Sequence, residues 1–192
     1  MAKKLKSKTK SEKGNVKVIT GVCRSSYMYC RELTVNEKSE SDVKTCRTQI
    51  LIPKKDKETV KAIQAAIEAA AQKKFGNDVN VDSKKFKNPL RDGDEELEDG
   101  DMEGQQYVDH YFVNATGYKL PGVVDDDGDR ILDPDELDEI VVSGYYFRFS
   151  IVAKAFDNES RGVRFVLNNL MFKKEGDRLD GSVNAENEDW SD

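Results

Sequence analysis

The feature that most constrains this chain is a run of alternating side chains near its C-terminal end. In Gly144 to Phe156 (GYYFRFSIVAKAF), Tyr145, Phe147, Phe149, Ile151 and Ala153 fall on one face. Tyr146, Arg148, Ser150, Val152 and Lys154 fall on the other. A period of two in aromatic and β-branched residues specifies a strand buried on one side only. Arg161 to Phe172 (RGVRFVLNNLMF) repeats the theme, with Val163, Phe165 and Leu167 inward and Arg164 and Asn168 outward. Asp157, Asn158 and Gly162 suit a hairpin connection between the two. Such a hairpin needs further strands to close a core.

Those strands are present. Val16 to Val22 alternates, as does Ser25 to Glu32, where Tyr27, Tyr29 and Arg31 oppose Met28 and Cys30. Lys44 to Ile52 (KTCRTQILI) is rich in β-formers and stops at Pro53, and shorter β-like stretches follow at Asp109–Thr116 and Gly122–Asp125. One helix is predicted after Asp56, its N-cap, ending at Gly76, with Val60, Ile63, Ile67 and Ala70 as a thin apolar stripe. Asn77 to Gln106 reads as a long polar surface excursion. Five or six strands and one helix in this order predict a mainly β fold, a small antiparallel barrel with long loops. Residues 1–14, with six lysines and, after Met1, only Leu5 as a large apolar residue, read as a basic disordered arm; the domain spans 15–182 and an acidic tail spans 183–192.

Charge is segregated. Residues 1–90 are net +11, residues 91–140 net −15 and residues 141–192 net −2, so the overall −6 is an average of unlike parts. The chain has no run near the ~18 apolar residues of a membrane span, and its N-terminal lysines precede no apolar signal core. Cys23, Cys30 and Cys46 read as reduced, buried or half-buried thiols of a cytoplasmic protein.

Catalytic signatures are missing from the sequence. The single histidine, His110, stands in a strand-like DHYF segment without a nucleophile motif and reads as structural or exposed. Acidic clusters could serve a metal-dependent nuclease, yet runs such as DGDEELEDGD are more often solvated loops. No enzyme activity and no cofactor are expected. An alternative is a calcium-binding interaction module. In DDDGDRILDPDE, Asp125, Asp127, Asp129, Asp133 and Glu136 fall on positions 1, 3, 5, 9 and 12 of an EF-hand loop. Arg130 replaces the turn glycine, and Pro121 and Gly122 precede the loop where a helix should enter. The simpler reading is an acidic turn between strands.

The signals that agree point to single-stranded nucleic acid. Tyr146, Arg148 and Lys154 share the outward face of one strand, and Arg164 that of the next. Tyr27, Tyr29, Arg31, Lys44 and Arg47 add rings and cations on the early strands. Rings stack on bases whatever their identity, and cations follow phosphates, so sequence-tolerant, salt-sensitive binding is expected. Around Trp190, the acidic side chains Glu186, Glu188, Asp189 and Asp192 form a tail that could occupy a basic groove or dock on partner proteins. Arg91 admits two readings, a nucleic-acid contact or an ion pair with Asp92 or Asp94.

An ordered set of stretches carries a family likeness: LIPKKDKETVKAIQAAIEAA from Leu51, NPLRDGDEE from Asn88, YVDHYFVNA from Tyr107 and PGVVD from Pro121. SGYYFRFSIVAKAFDN from Ser143 and RGVRFVLNNLMFKKEGDRLDG from Arg161 complete it. In these the chain resembles the phage single-stranded DNA-binding proteins with an OB fold. The resemblance implies a five-stranded OB barrel with one inserted α-helix, long loops and flexible tails. It implies DNA coating in phage replication, recombination or repair, without catalysis, in the host cytoplasm. It also implies contacts between the acidic tail and phage or host replication or recombination proteins. Acidic tails of this class often end in an aromatic residue; here Ser191 and Asp192 follow Trp190.

Overall fold

The computed structural model describes residues 16–35, 42–101 and 103–179. The expected arm at 1–14 and tail at 183–192, with Glu186, Glu188, Asp189, Trp190 and Asp192, lie outside the described residues.

Four long strands and a fifth of middle length dominate the fold: β2 (Cys23–Thr34), β3 (Thr45–Pro53), β6 (His110–Gly117), β8 (Tyr146–Asp157) and β9 (Arg161–Lys174). Short strands accompany them: β1 (Lys17–Ile19), β4 (Phe86–Lys87), β5 (Arg91–Asp92) and β7 (Gly122–Val124). β2 pairs with β3, β3 with β6, β6 with β9, β9 with β8, and β8 again with β2. The expectation of a purely antiparallel arrangement is corrected, because β4, β6 and β7 each run parallel to β9.

The alternation read from the sequence sets the core. Phe147, Phe149 and Ile151 of β8 and Phe165 and Leu170 of β9 are all buried. Strict pairing breaks twice, each time with one extra residue in β9: Tyr146 pairs with Lys174 but Phe147 with Phe172, and further along Ser150 pairs with Asn169 but Ile151 with Leu167. The second bulge leaves Asn168 and Asn169 both exposed and returns Leu167 and Leu170 to the same interior.

Helix α1 (Lys57–Phe75) begins where the Asp56 carboxylate accepts the Thr59 N–H at 3.1 Å, and it ends at Gly76 with φ of +89°. Val60, Ile63, Ile67 and Ala70 are buried in the main core, and α1 packs on β8 and β1. Each buried isoleucine contributes about 1.5–3 kcal/mol.

Two further helices depart from the single one predicted: α2 (Gly93–Glu98) and α3 (Pro134–Ile140). With β4, β5 and a 3₁₀ turn at Gln105–Tyr107, α2 turns the expected surface excursion into ordered structure. Leu51, Tyr107 and Phe112 form a second small core there, flanked by Leu97 and Leu179. Gly93 is required for this docking, since a Cβ would lie 2.4 Å from the Tyr107 carbonyl oxygen. All three cysteines are buried free thiols, and burial pushes the Cys23 thiol up to about 12. No described helix is long and apolar enough to cross a membrane.

Candidate nucleic-acid interface

β2 and β3 bring rings and cations together through a bulge. Ser26 pairs with Gln49 and Tyr29 with Arg47, so β2 has one more residue than β3 between these points. Tyr27 takes up the excess at φ of +48°, a conformation side chains seldom adopt. The result is that Tyr27 and Tyr29 both face solvent, at 53% and 49% exposure, while Met28 and Cys30 stay buried. The Arg47 guanidinium lies 4.7 Å from the Tyr29 ring centroid. Lys44 is exposed just before β3.

The same outward face runs on across the sheet. Tyr29, Arg47, Thr116, Val166 and Val152 stand side by side on β2, β3, β6, β9 and β8. One step along β8 and β9, Lys154 pairs with Arg164, both exposed. Arg164 donates to the Tyr118 hydroxyl at 2.8 Å, and its guanidinium lies 5.6 Å from that ring centroid. Tyr118 was not singled out in the sequence because it lies in a turn, where alternation gives no signal.

Other predicted residues are outward but engaged elsewhere. Arg31 is tied to Asp138 at 2.5 Å and to the Pro134 carbonyl at 3.1 Å. Arg148 donates to the Thr20 carbonyl at 3.0 Å. The Tyr146 ring sits between the Lys174 ammonium at 4.5 Å and the Arg24 guanidinium at 5.9 Å, with the Gly176 backbone against it. Arg24 in turn holds the Gly144 and Asp177 carbonyls at 3.0 and 2.6 Å. These three side chains tie separate segments together.

Between the two open patches lies a polar line that the sequence did not reveal. The buried Tyr107 hydroxyl donates to Gln49 Oε1 at 2.6 Å, and Gln49 Nε2 donates to Asn114 Oδ1 at 3.2 Å. Burial first, and the neighbouring Tyr27 second, push the Tyr107 phenol above the usual tyrosine range.

Several acidic side chains of the middle segment are committed to internal contacts. Asp92 and Asp94 hold Lys54 at 2.5 and 2.7 Å. Arg91 pairs with Glu96, not with Asp92 or Asp94, and lies 4.9 Å from the Phe112 ring centroid. Asp126 pairs with Lys173. In the loop weighed for calcium, Asp125 Oδ1 accepts the N–H groups of Asp127, Gly128 and Asp129, and Asp133 caps α3 through Asp135 and Glu136. The loop follows a strand, with a bridge between Val124 and Arg130, as an acidic turn would. Among the described residues no group of His, Cys, Asp or Glu is placed to hold a metal. The His110 Nδ1 lies 2.7 Å from the Val108 carbonyl oxygen, a group to which it can only donate.

This geometry has solved counterparts. The single-stranded DNA-binding protein from bacteriophage Enc34, determined in complex with ssDNA, matches at a TM-score of 0.72 and 17% identity. The match covers 93% of this chain and 99% of that one. The single-stranded DNA-binding protein gp2.5 encoded by bacteriophage T7 matches at 0.54 and 14% identity, over 87% and 96%. At these identities the likeness is one of fold: mainly β, OB-like, with one long helix. In sequence, protein p50 of Acyrthosiphon pisum secondary endosymbiont phage 1 is 28% identical over 152 residues, 76% of this chain and 78% of that protein. Matched over residues 16–191, the chain belongs to the family described as Enterobacter phage Enc34, ssDNA-binding protein.

Proposed function

We propose that the chain binds single-stranded DNA, without base-sequence preference and without catalysing a reaction, during phage DNA replication, recombination or repair in the host cytoplasm. The observation that carries this reading is the exposed Tyr29 ring with the Arg47 guanidinium 4.7 Å from its centroid, on a strand face that also presents Tyr27. A ring beside a cation offers a base a stacking platform and its phosphate a counter-charge. The family's named member is an ssDNA-binding protein, and the Enc34 protein was solved with ssDNA bound.

The contact surface in this reading comprises Tyr27, Tyr29, Lys44 and Arg47, and continues over β6 and β9 to Lys154 and Arg164. Arg31, Tyr146 and Arg148 shape its rim. The circuit of pairings through β2, β3, β6, β9 and β8 supports a five-stranded OB barrel in which this surface is the outer wall. The basic arm, residues 1–14, adds cations to the path. The acidic tail, residues 183–192, competes with DNA for the basic face and docks on replication or recombination proteins when DNA displaces it.

Fluorescence anisotropy with labelled oligonucleotides tests the reading. Binding is expected to favour single strands over duplex, to weaken steeply with salt and to need no metal. Equal affinity for duplex, or no binding at low salt, overturns it. Deleting residues 184–192 should tighten binding; unchanged affinity would show that the tail does not compete.

A further inference from the structure

We infer that Asn114 is a nucleotide-contacting residue whose amide is aimed by a buried relay running from Tyr107 through Gln49, an inference that rests on the single-strand binding proposed above. Gln49 is a surprising residue at its position. It lies on the outward face of β3, two residues from Arg47, yet is only 5% exposed, with the buried Tyr107 side chain of the Gln105–Tyr107 turn against it. A β-branched residue would satisfy the sheet better there. A buried amide needs partners at both ends, and both are supplied: its oxygen takes the Tyr107 hydroxyl at 2.6 Å, and its nitrogen donates to Asn114 Oδ1 at 3.2 Å.

The relay has a direction. The Tyr107 hydroxyl meets the oxygen of Gln49 and the Gln49 nitrogen meets Asn114 Oδ1, an arrangement in which Asn114 turns its own oxygen inward. Its two amide hydrogens then face solvent, and among the described residues no protein acceptor takes them. Asn114 is exposed and sits beside Gln49 across the β3–β6 pairing, and Ala115, the next residue, pairs with Phe165, the neighbour of Arg164. The donors thus stand between the Tyr27, Tyr29 and Arg47 patch and the Arg164 and Lys154 patch. A strand crossing from one to the other passes over them. The chemistry they select is an acceptor oxygen of a nucleotide, either a base carbonyl or a phosphate oxygen. Tyr107 and Gln49 act as positioning residues, and only Asn114 makes the contact.

The test measures binding of the full chain to a labelled oligo-dT and to an abasic strand of equal length. Asn114→Ala is expected to weaken oligo-dT binding roughly three- to tenfold, the effect of one hydrogen bond. Because the side chain is neutral, the salt dependence should not change. A loss confined to oligo-dT assigns the acceptor to the base, and an equal loss on the abasic strand assigns it to phosphate. Tyr107→Phe, which keeps the buried ring, should weaken binding in the wild-type chain but add nothing in the Asn114→Ala background. The inference is overturned if Asn114→Ala binds oligo-dT as tightly as wild type, or if Tyr107→Phe acts equally in both backgrounds. Failure of the wild-type chain itself to bind oligo-dT would instead overturn the proposed function, and this inference with it.

Discussion

Arg47 and Tyr29 are cross-strand partners whose side chains meet on the solvent side of β2 and β3, with the guanidinium 4.7 Å from the ring centroid. The pair separates two contributions that are usually mixed. Arg47→Ala should reduce the slope of log affinity against log salt by about one, the signature of one lost phosphate contact. Tyr29→Ala should leave that slope nearly unchanged and cost about 1–3 kcal/mol of binding, the worth of one stacked base. Tyr29→Phe should retain most of the affinity. Salt titrations of the three variants check this, and identical slopes for wild type and Arg47→Ala would remove Arg47 from the phosphate path.

Tyr27 exchanges stability for position. Its φ of +48° costs a residue with a Cβ about 1–2 kcal/mol, which glycine does not incur. Tyr27→Gly should therefore hold or raise the melting temperature while weakening single-strand binding. Opposite movement of the two readouts is the expected result. A fall in both would mean that the Tyr27 ring, beside Tyr107, is needed for packing.

For Tyr146 and Arg148 the expectation is the reverse. Tyr146 has its ring enclosed by Lys174, Arg24 and Gly176, and Arg148 bonds the Thr20 carbonyl. Replacing both with Ala should lower the melting temperature by several degrees, consistent with a loss of roughly 1–3 kcal/mol. Unchanged stability with weakened DNA binding would return both residues to the contact surface.

The contrast between these residues shows what alternation can and cannot deliver. The faces of β8 and β9 were legible because one side is buried, so a period of two is enforced by the core: Phe147, Phe149 and Ile151 go in and Tyr146, Arg148 and Lys154 go out. The helix was legible because Asp56, Gly76 and the Val60–Ile63–Ile67 stripe all agree. Facing outward, however, does not leave a side chain free. Arg31 meets Asp138 from α3 and Arg148 meets Thr20, 107 and 128 residues away in sequence. Contacts so distant leave no local trace. The stretch from Asn77 to Gln106 was opaque for a related reason. Its order comes from docking on β3 and β6 through Gly93, Lys54 and Arg91, not from its own propensity. The Tyr107–Gln49–Asn114 line crosses three elements and was invisible for the same cause.

Calcium should have no effect. Asp125 already gives one carboxylate oxygen to the N–H groups of Asp127, Gly128 and Asp129, and Asp133 caps α3. A cation would have to compete with these bonds in a loop entered from β7 and not from a helix. Melting curves with and without about 1 mM calcium, ample for typical EF-hand sites, should superimpose. A shift of several degrees would reinstate a calcium site at Asp125 to Glu136.

The Lys54 cluster makes stability depend on pH in a defined direction. Hydrogen bonds from the Lys54 ammonium and then from the Asp109 N–H hold the Asp94 carboxyl below the usual aspartate range. A carboxyl depressed by folding stabilises the protein above its unfolded value, near pH 3.9, and the contribution fades as pH falls toward the folded value. On Lys54 itself, partial burial pulls the ammonium down, but Asp92 and Asp94 outweigh it and raise the group above the usual lysine range. Its contribution therefore persists up to the ordinary lysine value, near pH 10.4, and is lost only in stronger alkali. Lys54→Met should consequently melt below wild type by a constant margin from about pH 5 to pH 9, where both ionisation states are fixed. The margin should shrink below about pH 4, as protonated carboxyls have no cation to lose. Melting temperature against pH for the two proteins decides the matter. A margin that is the same at about pH 3 as at pH 7 would assign the effect of Lys54 to its packing over the Tyr111 ring, 5.0 Å away, and not to its carboxylates.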